Sequence, residues 1–238
     1  TFFPHVQTGG TVAERAAALT EGLPSRDDDV RAVFLDVATG IRNVHLSLGV
    51  GGYEPNDAET VLSNKYGDTR DKAVLLVSML RAADIEAYPA MTKTTLGRFI
   101  EDVPTLLQFN RMLVALPSDD GYTFLDPFLD DVVYGYHRWG RGNTALVVKD
   151  EGAGELVSLP RFEPSENESR RILIAELAED GSADVEAACD LVGYFDRTAR
   201  RALKDATPSE EKPLFERSAY KISPGSTVCS SRVWPEAS

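Results

Sequence analysis

Few residues in this chain are equipped for acid–base or nucleophilic chemistry. The histidines are His5, His45 and His137, and the cysteines are Cys189 and Cys229. Two cysteines this far apart admit one disulfide or none, and their spacing fits no metal site. Asp68, Asp71 and Asp126 raise the question of a carboxylate-bound metal. His137 lies in an irregular stretch, 132–142, with Tyr134, Tyr136, Arg138, Trp139 and Arg141. Aromatic and arginine side chains are enriched where proteins recognise partners, and they serve equally in a loop that covers a core.

The elements that must position these groups follow from periodicity. Thr11-Val-Ala-Glu14 has the form of a capping box before a first helix. Ser25, followed by Asp27, Asp28 and Asp29, starts a second, with acidic groups at the positive end of the helix dipole. Val30, Phe34, Val37 and Ile41 then form an apolar stripe. Gly49 to Pro55 is a loop by its breakers. A short helix runs from Ala58 to about Lys65, with Asp57 or Asn56 as its N-cap. Asp68 caps the clearest helix, in which Ala73, Leu76, Val77 and Leu80 share a face. Val74, Leu75 and Met79 widen that face until the helix is buried almost all round.

Strands follow at Glu86 to Thr92, Leu107 to Leu116, Tyr122 to Leu125 and Ala145 to Val148. A hairpin turn at Ser118-Asp-Asp-Gly121 joins the second and third. After Gly154 the character changes. Alternating residues from Ile172 to Leu177 and from Val185 to Leu191 flank Asp180-Gly181, the pattern of a β-hairpin. Tyr194 to Leu203 reads as a basic helix and Ser209 to Tyr220 as an acidic one. Pro224 to Ser238 has no readable period. The domains expected are 1–154 and 155–238.

The formal net charge is -13. That surface repels a phosphate backbone, and no Lys/Arg stripe offsets it, so nucleic acid is excluded as a partner. The longest apolar run, Ala73 to Leu80, is far short of the roughly 20 residues that cross a bilayer, so no membrane insertion of this segment is expected.

The order of helices, buried helix and strands is that of a papain-like α+β domain. Tyr66-Gly-Asp-Thr-Arg-Asp-Lys-Ala73, an apolar helix, and Ala83-Asp-Ile-Glu-Ala87 resemble the transglutaminase-like family, whose bacterial members read Gly-Asp-Cys-Lys-Asp-Lys-Ala at the first motif. Gln108-Phe-Asn-Arg111 resembles the family's Phe-Asn-His, and Leu125-Asp126-Pro127 its Leu-Asp-Pro. Ile41-Arg42, Leu48-Gly49 and Gly52-Tyr53-Glu-Pro55 match the approach to the family's cysteine. The resemblance implies a papain-like transglutaminase core of N-terminal helices, a buried central helix and an antiparallel sheet. A smaller β-rich region with helices follows. It makes Asp68 a cap and Asp71–Lys72 local ion-pair partners rather than metal ligands, and it calls for no metal or other cofactor. It also implies an exported setting, periplasmic or extracellular.

In active members the resemblance implies a Cys-His-Asp triad, in which a helix N-terminus and an imidazole hold the cysteine as thiolate. Here Thr69 stands at the cysteine position and Arg111 at the histidine position; Asp126 is retained. An alcohol is a far weaker acid than a thiol, and a helix dipole worth about 0.3–1 kcal/mol does not ionise it. A guanidinium stays protonated and accepts no proton. The expectation is a non-catalytic domain that binds a protein or peptide partner or serves as a scaffold. Arg111 and Asp126 would then form a partly buried ion pair, and Asn110, Arg111, Asp126, Tyr134, His137 and Trp139 are the candidate binding residues. The alternatives are a diverged hydrolase or acyltransferase with Thr69 as nucleophile and a recruited base such as His137, or a structural spacer without a pocket.

Overall fold

The computed structural model describes residues 2–45, 54–93, 100, 102–103, 105–129, 144–150, 153–204 and 206–233. The chain divides into two compact units, Thr1–Glu163 and Pro164–Ser238.

In the first unit, helices α1 (Gly10–Thr20), α2 (Arg26–Gly40) and α3 (Ala58–Asn64) precede α4 (Thr69–Ala82), and the two-residue strands β1 (Arg42–Asn43) and β2 (Tyr66–Gly67) pair in parallel ahead of it. The residue before α1 is Gly9, and no side chain caps this helix, so Thr11 lies inside its first turn and the expected capping box does not form. Ser25 caps α2 as expected, accepting from the Asp28 N–H at 3.2 Å. Asp57 occupies the N-cap position of α3 but makes no cap bond. Its carboxylate instead takes His5 Nδ1 at 2.7 Å, and Gln7 Oε1 accepts the Glu59 N–H at 3.0 Å in its place.

Helix α4 is the centre of the unit. Residues 71–80 are buried without a break, and Val74, Leu75, Leu76, Val77, Met79 and Leu80 are fully so. It packs on α1, α2 and α3 and on strands β3 (Tyr88–Thr92) and β4 (Arg111–Ser118). Each such side chain contributes about 1.5–3 kcal/mol by leaving water.

The sheet is antiparallel throughout, in the order β5-β4-β3-β6-β7, with β5 at Gly121–Leu125, β6 at Thr144–Val148 and β7 at Gly154–Ser158. Strand β4 starts later than expected because Leu106–Gln108 is a 3-10 turn. Strand β7 takes the sheet past residue 154 and had no distinct signature in the sequence. Alternation is strict. Met91, Met112, Val114, Leu116 and Leu125 face α4, whereas Ala90, Leu113, Ala115, Phe124, Ala145 and Val147 form a second core on the other face.

That second face is concave. Strands β5 and β7 are the two edges, so in a flat sheet they would lie about 19 Å apart at about 4.8 Å per strand. Yet the Tyr122 hydroxyl of β5 donates to Glu155 Oε2 of β7 at 2.8 Å, and Lys149 Nζ reaches the same carboxylate at 2.7 Å. Small side chains at Ala90, Ala115 and Ala145 leave room for so tight a curl.

The second unit holds the expected hairpin, β8 (Ser169–Leu177) and β9 (Ala183–Leu191), then α5 (Tyr194–Lys204) and α6 (Pro208–Ile222). Its cysteines, Cys189 and Cys229, are both free thiols. Among its described residues the buried side chain is that of Arg197.

Candidate functional site

The loop into α4 is shaped by close approach. A Cβ on Gly67 would come within 2.7 Å of the Asp71 Cβ, so only glycine lets this backbone pass the helix start. The next residue, Asp68, accepts the N–H groups of Arg70 (2.7 Å) and Asp71 (3.1 Å), while Asp71 Oδ2 accepts the Asp68 N–H at 3.0 Å. This reciprocal capping satisfies donors the helix itself leaves unpaired. Arg70 also binds the Asp68 carboxylate, and Asp71 Oδ1 accepts from Asn56 at 2.8 and 3.3 Å.

Thr69, the first residue of α4, faces the start of β4. Its hydroxyl donates to the Met112 carbonyl at 3.1 Å and accepts the Met112 N–H at 3.0 Å. The β4–β5 pairing runs from Val114↔Leu125 to Ser118↔Gly121, so Met112 lies beyond the end of β5. The Thr69 side chain thus supplies both the donor and the acceptor a neighbouring strand would have supplied. Among the described residues these are the hydroxyl's hydrogen bonds, and no imidazole contacts it.

Arg111 begins β4, beside Met112, and Asp126 follows β5. The guanidinium grips the carboxylate with two nitrogens: Nε at 3.2 and 3.1 Å, Nη2 at 2.7 Å to both oxygens. This is the expected ion pair, more deeply set than the sequence implied: Asp126 is fully buried and the Arg111 side chain is 13% exposed. The Phe128 N–H also donates to Asp126 Oδ1 at 3.2 Å. The Phe128 ring lies under the guanidinium, 4.6 Å from its carbon, and meets the His45 ring edge-on at 5.0 Å. A planar cation held by a carboxylate and an aromatic face has its strongest directional interactions already filled.

Lys72 was expected beside Asp71 as an ion-pair partner. The two side chains instead leave the helix toward different groups, Asp71 toward Asn56 and Lys72 into the core. Lys72 is fully buried, and its Nζ donates to the carbonyls of Ala38 (2.9 Å) and Ile41 (2.8 Å) and to Asn43 Oδ1 (2.8 Å). Those carbonyls belong to the end of α2 and its C-cap residue, so a lysine of one helix caps the C-terminus of another at the negative end of its dipole. Asn43 Nδ2 then donates to the Phe128 carbonyl at 2.9 Å. Lys72, Asn43 and Phe128 therefore connect the start of α4 to the Arg111–Asp126 pair.

Of the remaining candidates, Asn110 is exposed, and its N–H donates to the Thr92 carbonyl at 3.1 Å at the mouth of β4. Tyr134, His137 and Trp139 lie outside the described residues. His5 is held by Asp57 and by Glu54 at 3.3 Å. The sequence reading missed Met112, which acts through its backbone and so leaves no side-chain signal. It also missed Asn43 and the inward course of Lys72. No helix among the described residues is long and apolar enough to cross a membrane.

Comparison with known proteins bears on the fold that carries these residues. The model of the transglutaminase-like superfamily core matches residues 13–97, from α1 through β3. A candidate protease from Parabacteroides distasonis superposes with a TM-score of 0.55 at 15% identity, over 75% of this chain and 36% of that one. A candidate cysteine protease from Cytophaga hutchinsonii, at 12% identity, aligns over 81% of this chain and 56% of that one, with a TM-score of 0.40. The chain thus spans about a third and just over half of the lengths of these two structures. No curated protein matches it. Residues 13–97 thus match the core of the transglutaminase-like superfamily, and the chain shares its α+β fold with the Parabacteroides protein.

Proposed function

We propose that this chain is a non-catalytic transglutaminase-like module, a binding or scaffold domain whose partner is a protein or peptide in an extracytoplasmic setting. The observation that carries the reading is the state of the Thr69 hydroxyl, which spends its proton and an acceptor lone pair on the Met112 backbone. A nucleophilic alcohol needs a general base in contact. The group at the histidine position, Arg111, is a permanent cation bound to Asp126. The neighbours' description as candidate proteases belongs to those proteins.

The test compares the wild-type protein with Thr69→Ala and with Thr69→Cys/Arg111→His in peptide hydrolysis and amide-transfer assays. Wild type and Thr69→Ala should give the same background rate, and the double variant should gain turnover if the cleft is otherwise intact. Thr69→Val, which keeps the shape and removes the hydroxyl, should lower stability by about 1–3 kcal/mol, because it strands the Met112 N–H and carbonyl. Wild-type turnover that disappears in Thr69→Ala, or an acyl adduct on Thr69 by intact mass, would overturn the proposal in favour of a Thr69 nucleophile with a recruited base.

A further inference from the structure

The hairpin β8–β9 is a two-stranded sheet. Ile172, Leu173, Ile174, Leu177 and Val185 are each about half exposed or more. An isolated two-stranded ribbon is marginal in water, and an unpaired edge is a template for another strand.

The ladder fixes which backbone groups point outward. The Ala178 N–H donates to Ser182 O at 2.8 Å, and the Val192 N–H donates to Glu168 O at 2.9 Å. These bonds flank the strands at even positions, and antiparallel pairs alternate. The even residues of β8 therefore bond to β9, and Ser169, Arg171, Leu173, Ala175 and Leu177 turn their N–H and C=O groups toward the open edge. By the same phase the odd residues of β9 face out on the opposite edge.

We propose that β8 pairs with β8 of a second copy of this chain, antiparallel about a two-fold axis at Leu173, to give a four-stranded sheet in the order β9-β8-β8-β9. This register matches odd residues with odd ones, so all five outward N–H groups and all five carbonyls of each strand find partners. It sets Arg170 opposite the second copy's Glu176, and Ile172 opposite its Ile174, in the non-hydrogen-bonded positions where side chains come closest. The two-fold repeats both pairs, and the interface closes without leaving a free β8 edge. The other edge is charged against the same arrangement: β9 paired with itself about Ala187 would set Asp184 opposite Asp190. A head-to-tail β8–β9 pairing gains Arg170 opposite Asp190 but sets Glu176 against Asp184. Charge thus selects β8 on β8.

Sedimentation velocity across a dilution series reads the assembly directly. Wild type is expected as a concentration-dependent dimer of twice the monomer mass. Arg170→Glu and Glu176→Arg should each weaken it by at least about tenfold, since each places like charges opposite one another twice per dimer. Arg170→Glu/Glu176→Arg should restore it. Circular dichroism of each variant separates loss of pairing from loss of fold, and these exposed positions should leave the spectrum unchanged. A wild-type monomer at about 100 μM, a dimer indifferent to both single reversals, or a double variant that does not recover would each overturn the proposal.

Discussion

The two halves of this molecule handle apolar side chains in opposite ways. In the first unit, α4 hides ten consecutive residues, and the sheet lays separate cores on its two faces. In the second, two strands and two helices leave Ile174, Leu177 and Tyr220 more than half exposed, and the buried side chain among the described residues is an arginine. The difference lies in layering. A helix or sheet becomes a core only when a second layer covers its apolar face, and α4 has helices on one side and strands on the other. The first unit can therefore bear buried charge at Lys72 and Asp126 within dense apolar packing, whereas among the described residues of the second the buried charge of Arg197 has no cluster of buried apolar side chains around it.

This contrast can be broken at its most costly point first. Arg111→Ala leaves the fully buried Asp126 carboxylate without its cation, and chemical denaturation should show a loss of about 3–5 kcal/mol. A smaller loss would mean that the buried pair relaxes toward water and that the two units differ less than their burial indicates. Matched truncations sharpen the comparison. Leu76→Ala, at a fully buried position of α4, should cost about 2–5 kcal/mol, while Tyr220→Ala, 60% exposed on α6, should stay within about 0.5 kcal/mol. Equal effects would show that α6 is covered in solution.

The smallest effect is set by pH. The Lys149 ammonium and the Tyr122 hydroxyl hold the Glu155 carboxyl below its ordinary range. Its folded pKa is depressed, so its contribution is present above the unfolded value, about 4.5, and is lost as the pH falls through the lower folded value. The side chain is about half exposed, so the effect is slight and weakens with salt. A Tyr122→Phe variant should shift the acid limb of the stability profile toward higher pH in thermal melts; an unchanged limb would remove this carboxylate from the account.

Local chemistry was legible in the sequence where neighbours decide it. Ser25 and Asp68 cap their helices, and the unbroken apolar run of α4 foretold its burial, because these depend on residues a few positions apart. Partners distant in the chain were not legible. Asp57 stands where a cap belongs, but His5, 52 residues earlier, takes its carboxylate. Lys72 looks like a surface lysine until α2 ends above it, and Thr69 meets Met112 across 43 residues. The Arg111–Asp126 pair was readable because two strands joined by a tight turn bring those positions side by side. Glu155 and Tyr122 gave no sign of their meeting, since nothing local reports how far five strands bend.

That meeting ties the two edges of the curled sheet through one carboxylate shared by a phenol and an ammonium. The tie between the two edge strands therefore lies at the rim of the concave core, where ions and acid reach it before they reach the apolar side chains.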